Sequence, residues 1–99
     1  MQPLIRRILC VDDDPDTNQL LNRGLGEDGY EVITVDTQAD ALAYAKQEPF
    51  DLYLFDDWLP DGRGKDLITK IREFDPNTPI VFFSGNTENA NQAEILRLG

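Results

Sequence analysis

The sequence predicts an α/β fold built on a parallel sheet, and three observations predict it. Short apolar runs alternate with stretches of helical period four times along the 99 residues, the order of βα units joined by right-handed crossovers. The apolar runs are continuous, as strands buried on both faces are. Two of them, IRRILCV and DLYLF, end in acid pairs, Asp12-Asp13 and Asp56-Asp57. Adjacent parallel strands would deliver all four carboxylates to one edge, where open α/β sheets place ligands.

The elements follow in order. Residues 8–11 read as a buried strand. Asp14-Pro15 starts a helix, with Asp as N-cap and Pro in the first turn. Thr17, Leu20, Leu21 and Leu25 recur at helical spacing, Gly24 and Gly26 weaken the helix without breaking its stripe, and it ends before Gly29. Residues 31–35 form a second strand. Ala39, Leu42 and Ala45 mark a second helix stopped by Pro49. Residues 52–55 are the third strand, followed by the loop DDWLPDGRG. Leu59-Pro60 stiffens that loop, and Gly62 and Gly64 allow close backbone approach. The next helix carries Leu67, Ile68, Ile71 and Phe74 and ends at Asp75-Pro76-Asn77. Pro79 introduces the fourth strand, 80–83, and a last helix is expected over roughly 88–98, with Ala90, Ala93, Ile95 and Leu96.

Composition narrows the function. The length suits one domain with a modest core. Nineteen acids against nine bases give a net charge of -10, which argues against a nucleic-acid surface. No run approaches the ~18 apolar residues of a membrane span, and MQPLIRR leads into a strand, not a signal peptide. Cys10 is alone, so it forms no internal disulfide and is read as a small buried hydrophobe. The chain has no histidine, which excludes histidine acid/base catalysis and histidine metal sites. A reducing cytoplasm is the expected compartment.

The acids can be weighed against simpler roles. Helix capping accounts for Asp14 and could accommodate one more acid, but not Asp12, Asp13 and Asp14 together. Asp56-Asp57 alone would pass for a polar loop, yet a rigid loop presenting carboxylates at a strand end is a costly way to make a plain turn. Ser84-Gly85, ending the fourth strand, could be an ordinary turn. Its position beside the third strand aims a hydroxyl at the same crevice.

With these residues in view, the chain resembles the receiver domain of two-component response regulators, CheY-like proteins of phosphorelay signalling. ILCVDDDP, DLYLFDDWLPDGRG and PIVFFSG occur in the family's order, with Pro60 and Gly64 four and eight residues after Asp56. The resemblance implies a flavodoxin-like three-layer fold with strand order 2-1-3-4 and 1–99 as one receiver domain. It also implies residue roles. Asp56 matches the phosphoacceptor that becomes an aspartyl phosphate, Asp13 the direct Mg²⁺ ligand, and Asp12 its neighbour acting largely through water. The Trp58 carbonyl matches the backbone metal ligand, and Ser84 the hydroxyl that hydrogen-bonds the phosphoryl group. A sensor histidine kinase or phosphotransfer protein would supply the phosphate, and a downstream effector protein or domain would receive the signal. No nucleic acid or membrane is implied, and the domain would assist its own phosphorylation without being a conventional enzyme.

The chain also departs from the family. Asp57 is an additional acid, expected to face solvent. Trp58 and Asn86 match positions bordering the path of the hydrolytic water, and the bulk of Trp58 is expected to slow loss of the phosphoryl group. The family's fifth strand, lysine-proline motif and fifth helix have no match here, so the receiver is expected to be C-terminally incomplete. Residues 80–83 would then form an open apolar edge, predicting a homodimer, a domain swap or poor solubility. Two alternatives stand beside this reading. One is a receiver-like interaction module that no longer switches; the other is a haloacid-dehalogenase-type phosphohydrolase, disfavoured because Trp58 occupies the place of its second Asp.

Overall fold

The computed structural model describes residues 6–83 and the strand 93–96. In chain order the elements are β1 (Arg7–Val11), α1 (Pro15–Glu27), β2 (Glu31–Val35), α2 (Gln38–Gln47), β3 (Leu52–Asp56), β4 (Trp58–Leu59), β5 (Gly62–Arg63), α3 (Gly64–Arg72), β6 (Ile80–Phe83) and β7 (Ala93–Leu96). The main sheet runs β2-β1-β3-β6-β7. Its first four strands are parallel, with Val11 opposite both Val35 and Phe55, and Asp56 opposite Phe83. This is the expected flavodoxin-like order, and it puts the ends of β1 and β3 side by side.

Local chemistry sets the helix starts. Asp14 caps α1, its Oδ1 accepting from the Asp16 N–H at 3.1 Å and its Oδ2 from the Thr17 hydroxyl at 3.0 Å, with Pro15 just inside. Thr37 caps α2 by accepting from the Asp40 N–H at 3.1 Å. The remaining free donors of that turn are met from outside the helix. Asp61 accepts from the N–H of Gln38 at 2.8 Å and of Ala39 at 3.1 Å. The bond from Gln38 is the main cause holding the Asp61 carboxyl below its ordinary range.

Strand alternation divides the core unequally. Leu9, Val11, Tyr53, Phe55, Ile80 and Phe82 point to one face and pack with Ala41, Ala45, Leu67, Ile68 and Ile71 of α2 and α3, in a cluster of fourteen buried residues. Among the described residues the opposite face has three that are buried, Ile8, Cys10 and Leu54, covered by the partly buried Leu21 and Leu25 of α1. At about 1.5–3 kcal/mol per large side chain fully buried, most of the hydrophobic stabilisation among the described residues lies on the α2/α3 side.

Four expectations need correction. Leu20 does not join the α1 stripe and is 69% exposed. Leu21 and Leu25, one turn apart, face the sheet, and Leu20 lies about 100° round the helix from Leu21. Phe74 lies beyond α3. Asp75 accepts from the Tyr53 hydroxyl at 2.8 Å and the Thr78 hydroxyl at 2.6 Å, turning the chain away before Phe74 reaches the core. The loop after β3 contains an antiparallel hairpin, pairing Trp58 with Arg63 and Leu59 with Gly62.

The last correction concerns the end of the chain. Where a helix over 88–98 was expected, Ala93–Leu96 is a strand, antiparallel to β6 with Ile80 opposite Leu96 and Phe83 opposite Ala93. An apolar edge strand leaves a row of unpaired N–H and C=O groups. A helix of about eleven residues is marginal by itself, whereas an extended segment satisfies that row. The β6 edge, expected to be open, is therefore paired within the chain.

Candidate functional site

The site forms where β1 and β3 end. One oxygen from each of Asp12, Asp13 and Asp56 lies within 4.8 Å of the others, so residues forty-four positions apart in sequence share one crevice. Hydrogen bonds hold Asp12 in place. Asp12 N–H donates to the Val35 carbonyl at 3.1 Å, and its Oδ1 accepts from the Asp14 N–H at 2.9 Å. Its carbonyl accepts from Asn18 Nδ2 at 2.7 Å. Asn18 thus ties the acidic turn to α1, a contact that only a chain folded back from helix to strand end can make.

Electrostatics marks the cluster as strained. Burial, reinforced by the charges of Asp12 and Asp13, raises the Asp56 carboxyl from its ordinary 3.8 to about 6. Asp12 is also pushed up, by burial first and then by Asp13 and Asp14. A divalent cation would relieve both. All three donors are hard oxygens, the preference of Mg²⁺, whose opposed ligands stand about 4.2 Å apart at ~2.1 Å from the ion. The three oxygens lie within 4.8 Å of one another, near enough for a single ion to engage them, so the residues present fit the ion.

Glycine lets the loop close on β3. A Cβ on Gly64 would lie 2.3 Å from the Asp56 carbonyl oxygen and 2.7 Å from Phe82 Cε1. The Gly64 N–H donates to the Asp57 carbonyl at 2.7 Å, closing the hairpin. Gly62 sits at φ +149, and a Cβ there would lie 2.3 Å from Gln38 Nε2. The close approach expected of both glycines is present.

Asp57 is a further correction. It does not face solvent; it is 6% exposed, its Oδ1 accepting from Arg63 Nε at 3.1 Å and its Oδ2 from Arg63 Nη2. The opposite charge six residues away across Pro60 and Gly62 was the available signal, since a hairpin folds those two positions together. Trp58 is 56% exposed, with the Arg63 guanidinium 3.9 Å from its ring centroid. Ser84 and Asn86 lie outside the described residues. Cys10 is fully buried, and burial pushes its thiol up to about 12, in keeping with a packing role. Among the described residues no helix is long and apolar enough to cross a membrane.

Comparison with known proteins gives a consistent result. The family model described as the response regulator receiver domain matches residues 8–99. The chain is 37% identical over 90 residues to the response regulator protein PilR of Pseudomonas aeruginosa, covering 89% of the chain and 20% of PilR. It is 36% identical over 81 residues to the response regulator receiver protein CpdR of Brucella abortus, covering 82% of the chain and 68% of CpdR. Among solved structures, the response regulator TrrA of Thermotoga maritima in complex with Mg²⁺ and BeF superposes with a TM-score of 0.78 at 28% identity, over 89% of this chain and 76% of that one. The chain therefore spans a fifth of PilR and about two thirds of CpdR.

Proposed function

Because this chain belongs to the response regulator receiver domain family, we propose that it accepts a phosphoryl group on Asp56 from a phosphohistidine of a sensor histidine kinase or phosphotransfer protein. The observation that carries the proposal is the joining of Asp56 to Asp12 and Asp13 within 4.8 Å at the strand ends. A solved complex of the Thermotoga maritima histidine kinase ThkA with TrrA, to which the chain has 31% identity and a TM-score of 0.77 over 82% of its length and 70% of that chain, supports the donor class.

In the transfer, an ionised Asp56 oxygen forms a bond to phosphorus as the bond from phosphorus to the donor imidazole nitrogen breaks. The leaving imidazole takes up a proton from solvent. With its carboxyl near 6 even in the repulsive cluster, Asp56 is mostly ionised at neutral pH. Asp13, Asp56 and the Trp58 carbonyl would hold Mg²⁺ directly and Asp12 through water. When bound, the ion supplies the neutralisation of charge on the transferring group that phosphoryl transfer chiefly requires. The product adds roughly two negative charges and strong acceptors, which Ser84 would meet with a hydrogen bond. The domain then works as a cytoplasmic signalling switch read by an effector protein or domain.

Trp58 is the only tryptophan, so its fluorescence reports on the site. A response to Mg²⁺ and a second response to beryllofluoride support the proposal. A response to Mg²⁺ alone indicates a module that binds metal without switching, and no response to either sinks the proposal. Trp58 also controls persistence. In Trp58→Asn the phosphorylated form is expected to decay several-fold faster, measured by loss of labelled phosphate; an unchanged decay rate removes the shielding role.

A further inference from the structure

Arg63 makes three contacts that this chemistry does not use. Its guanidinium forks onto the Asp57 carboxylate. The same group lies over the Trp58 ring, 3.9 Å from the centroid. Its carbonyl accepts from Nε2 of Gln38 at 2.9 Å, a side chain 3% exposed whose Oε1 takes a hydrogen bond from Lys70 Nζ at 3.1 Å. Trp58 and Arg63 are in addition direct cross-strand partners.

An exposed ion pair contributes little, but this one has a buried acid and a fork geometry that is directional. A planar guanidinium that engages a carboxylate and an indole together restrains both. Those two groups belong to the residues that immediately follow Asp56. Their main chain leads from the end of β3 into the hairpin, so holding them also holds the exit from the phosphoacceptor. Gln38 and Lys70 extend the restraint to α2 and α3.

We propose that Arg63 is a positioning residue of the acidic site, acting through Asp57 and Trp58: it clamps the β4–β5 hairpin so that the indole keeps one orientation beside Asp56 and the Trp58 carbonyl keeps its place as a metal ligand. The consequence for metal binding rests on the receiver function proposed above, whereas the clamp is a property of the folded chain. A lysine cannot replace the arginine, because an ammonium neither forks nor stacks.

The test uses Arg63→Ala, Arg63→Lys and Asp57→Asn. The indole is followed by near-ultraviolet circular dichroism and fluorescence anisotropy without ligand, and Mg²⁺ binding by calorimetry. Both Arg63 variants are expected to lose the tryptophan dichroism band, to lower the anisotropy, and to weaken Mg²⁺ about tenfold, as loss of a group orienting a metal ligand does. Asp57→Asn should follow them in the indole signals. If Arg63→Ala does not fold by far-ultraviolet dichroism, the other two variants decide. A folded variant with unchanged indole signals and unchanged Mg²⁺ affinity overturns the clamp, whatever its melting temperature, and so does full recovery of both in Arg63→Lys. Should the unsubstituted protein bind no Mg²⁺, the receiver function fails, and the indole signals alone decide for or against the clamp.

Discussion

Asp56→Asn is expected to reduce phosphoryl incorporation from a small phosphodonor to background and, without Mg²⁺, to make the fold more stable at neutral pH. Both effects come from the same carboxylate. Asp56 lies beside Asp12 and Asp13 with its carboxyl raised from 3.8 to about 6. An acid whose folded value is above its unfolded one holds its proton more tightly in the fold. Its stabilising contribution is thus present below about 3.8, is lost as pH rises toward about 6, and stays lost above that. At a half-buried, partly screened site the loss is on the order of 1–2 kcal/mol, and the asparagine variant escapes it.

The variant should therefore melt ~5–15 °C higher than the unsubstituted protein at pH 7.5, and the difference should vanish near pH 4. Adding Mg²⁺ should raise the melting temperature of the unsubstituted protein, through binding to the folded state, and leave the variant almost unmoved. Labelling that survives in Asp56→Asn would move the nucleophile elsewhere. A variant that melts lower throughout would show that the cluster is not repulsive.

Gly64→Ala carries the largest expected loss of stability. The added methyl would meet the Asp56 carbonyl at 2.3 Å and the Phe82 ring at 2.7 Å. Neither can yield easily: one is main chain of a central strand, the other a buried ring. Overpacking of this kind costs about 3 kcal/mol, or ~12–24 °C in melting temperature for a domain of this size. Relief would have to come from moving the α3 start away from β3, which should weaken Mg²⁺ binding in whatever folds. Gly24→Ala is the contrast. Nothing lies within 4 Å of a Cβ there, and in mid-helix the change should stabilise by about 0.5–1 kcal/mol. Equal melting temperatures for the two variants would refute this account of Gly64.

The sheet and the acids were legible in the sequence because each depends on local information. Continuous apolar runs mark the four parallel strands, with β2 predicted to the residue. The meeting of Asp12, Asp13 and Asp56 is legible because strand ends are visible once strands are, and parallel order brings those ends together. The errors share a different cause. From sequence alone Asp57 reads as solvent-facing, because its partner, Arg63, is close only after the hairpin has folded. A stripe of helical period places Leu20 and Phe74 inward, because it does not reveal how wide the buried face is or where the last turn is diverted. Asn18 and Gln38 reach main-chain carbonyls of Asp12 and Arg63, and amide side chains carry no period to betray such roles. At 93–96 the sequence suits helix or strand, and the unpaired edge of β6 decides.

The unequal faces of the sheet have a kinetic consequence. Cys10 lies fully buried in the three-residue cluster beneath Leu21 and Leu25 of α1, while the larger cluster on the other face does not depend on that helix. Local openings draw on the least buried regions first, so α1 is placed to lift while the α2/α3 side stays closed. Each such excursion would bring the lone thiol into water, where burial no longer suppresses its ionisation. Slow alkylation of Cys10 under native conditions, measured against the unfolding rate, is the expected signature of that opening.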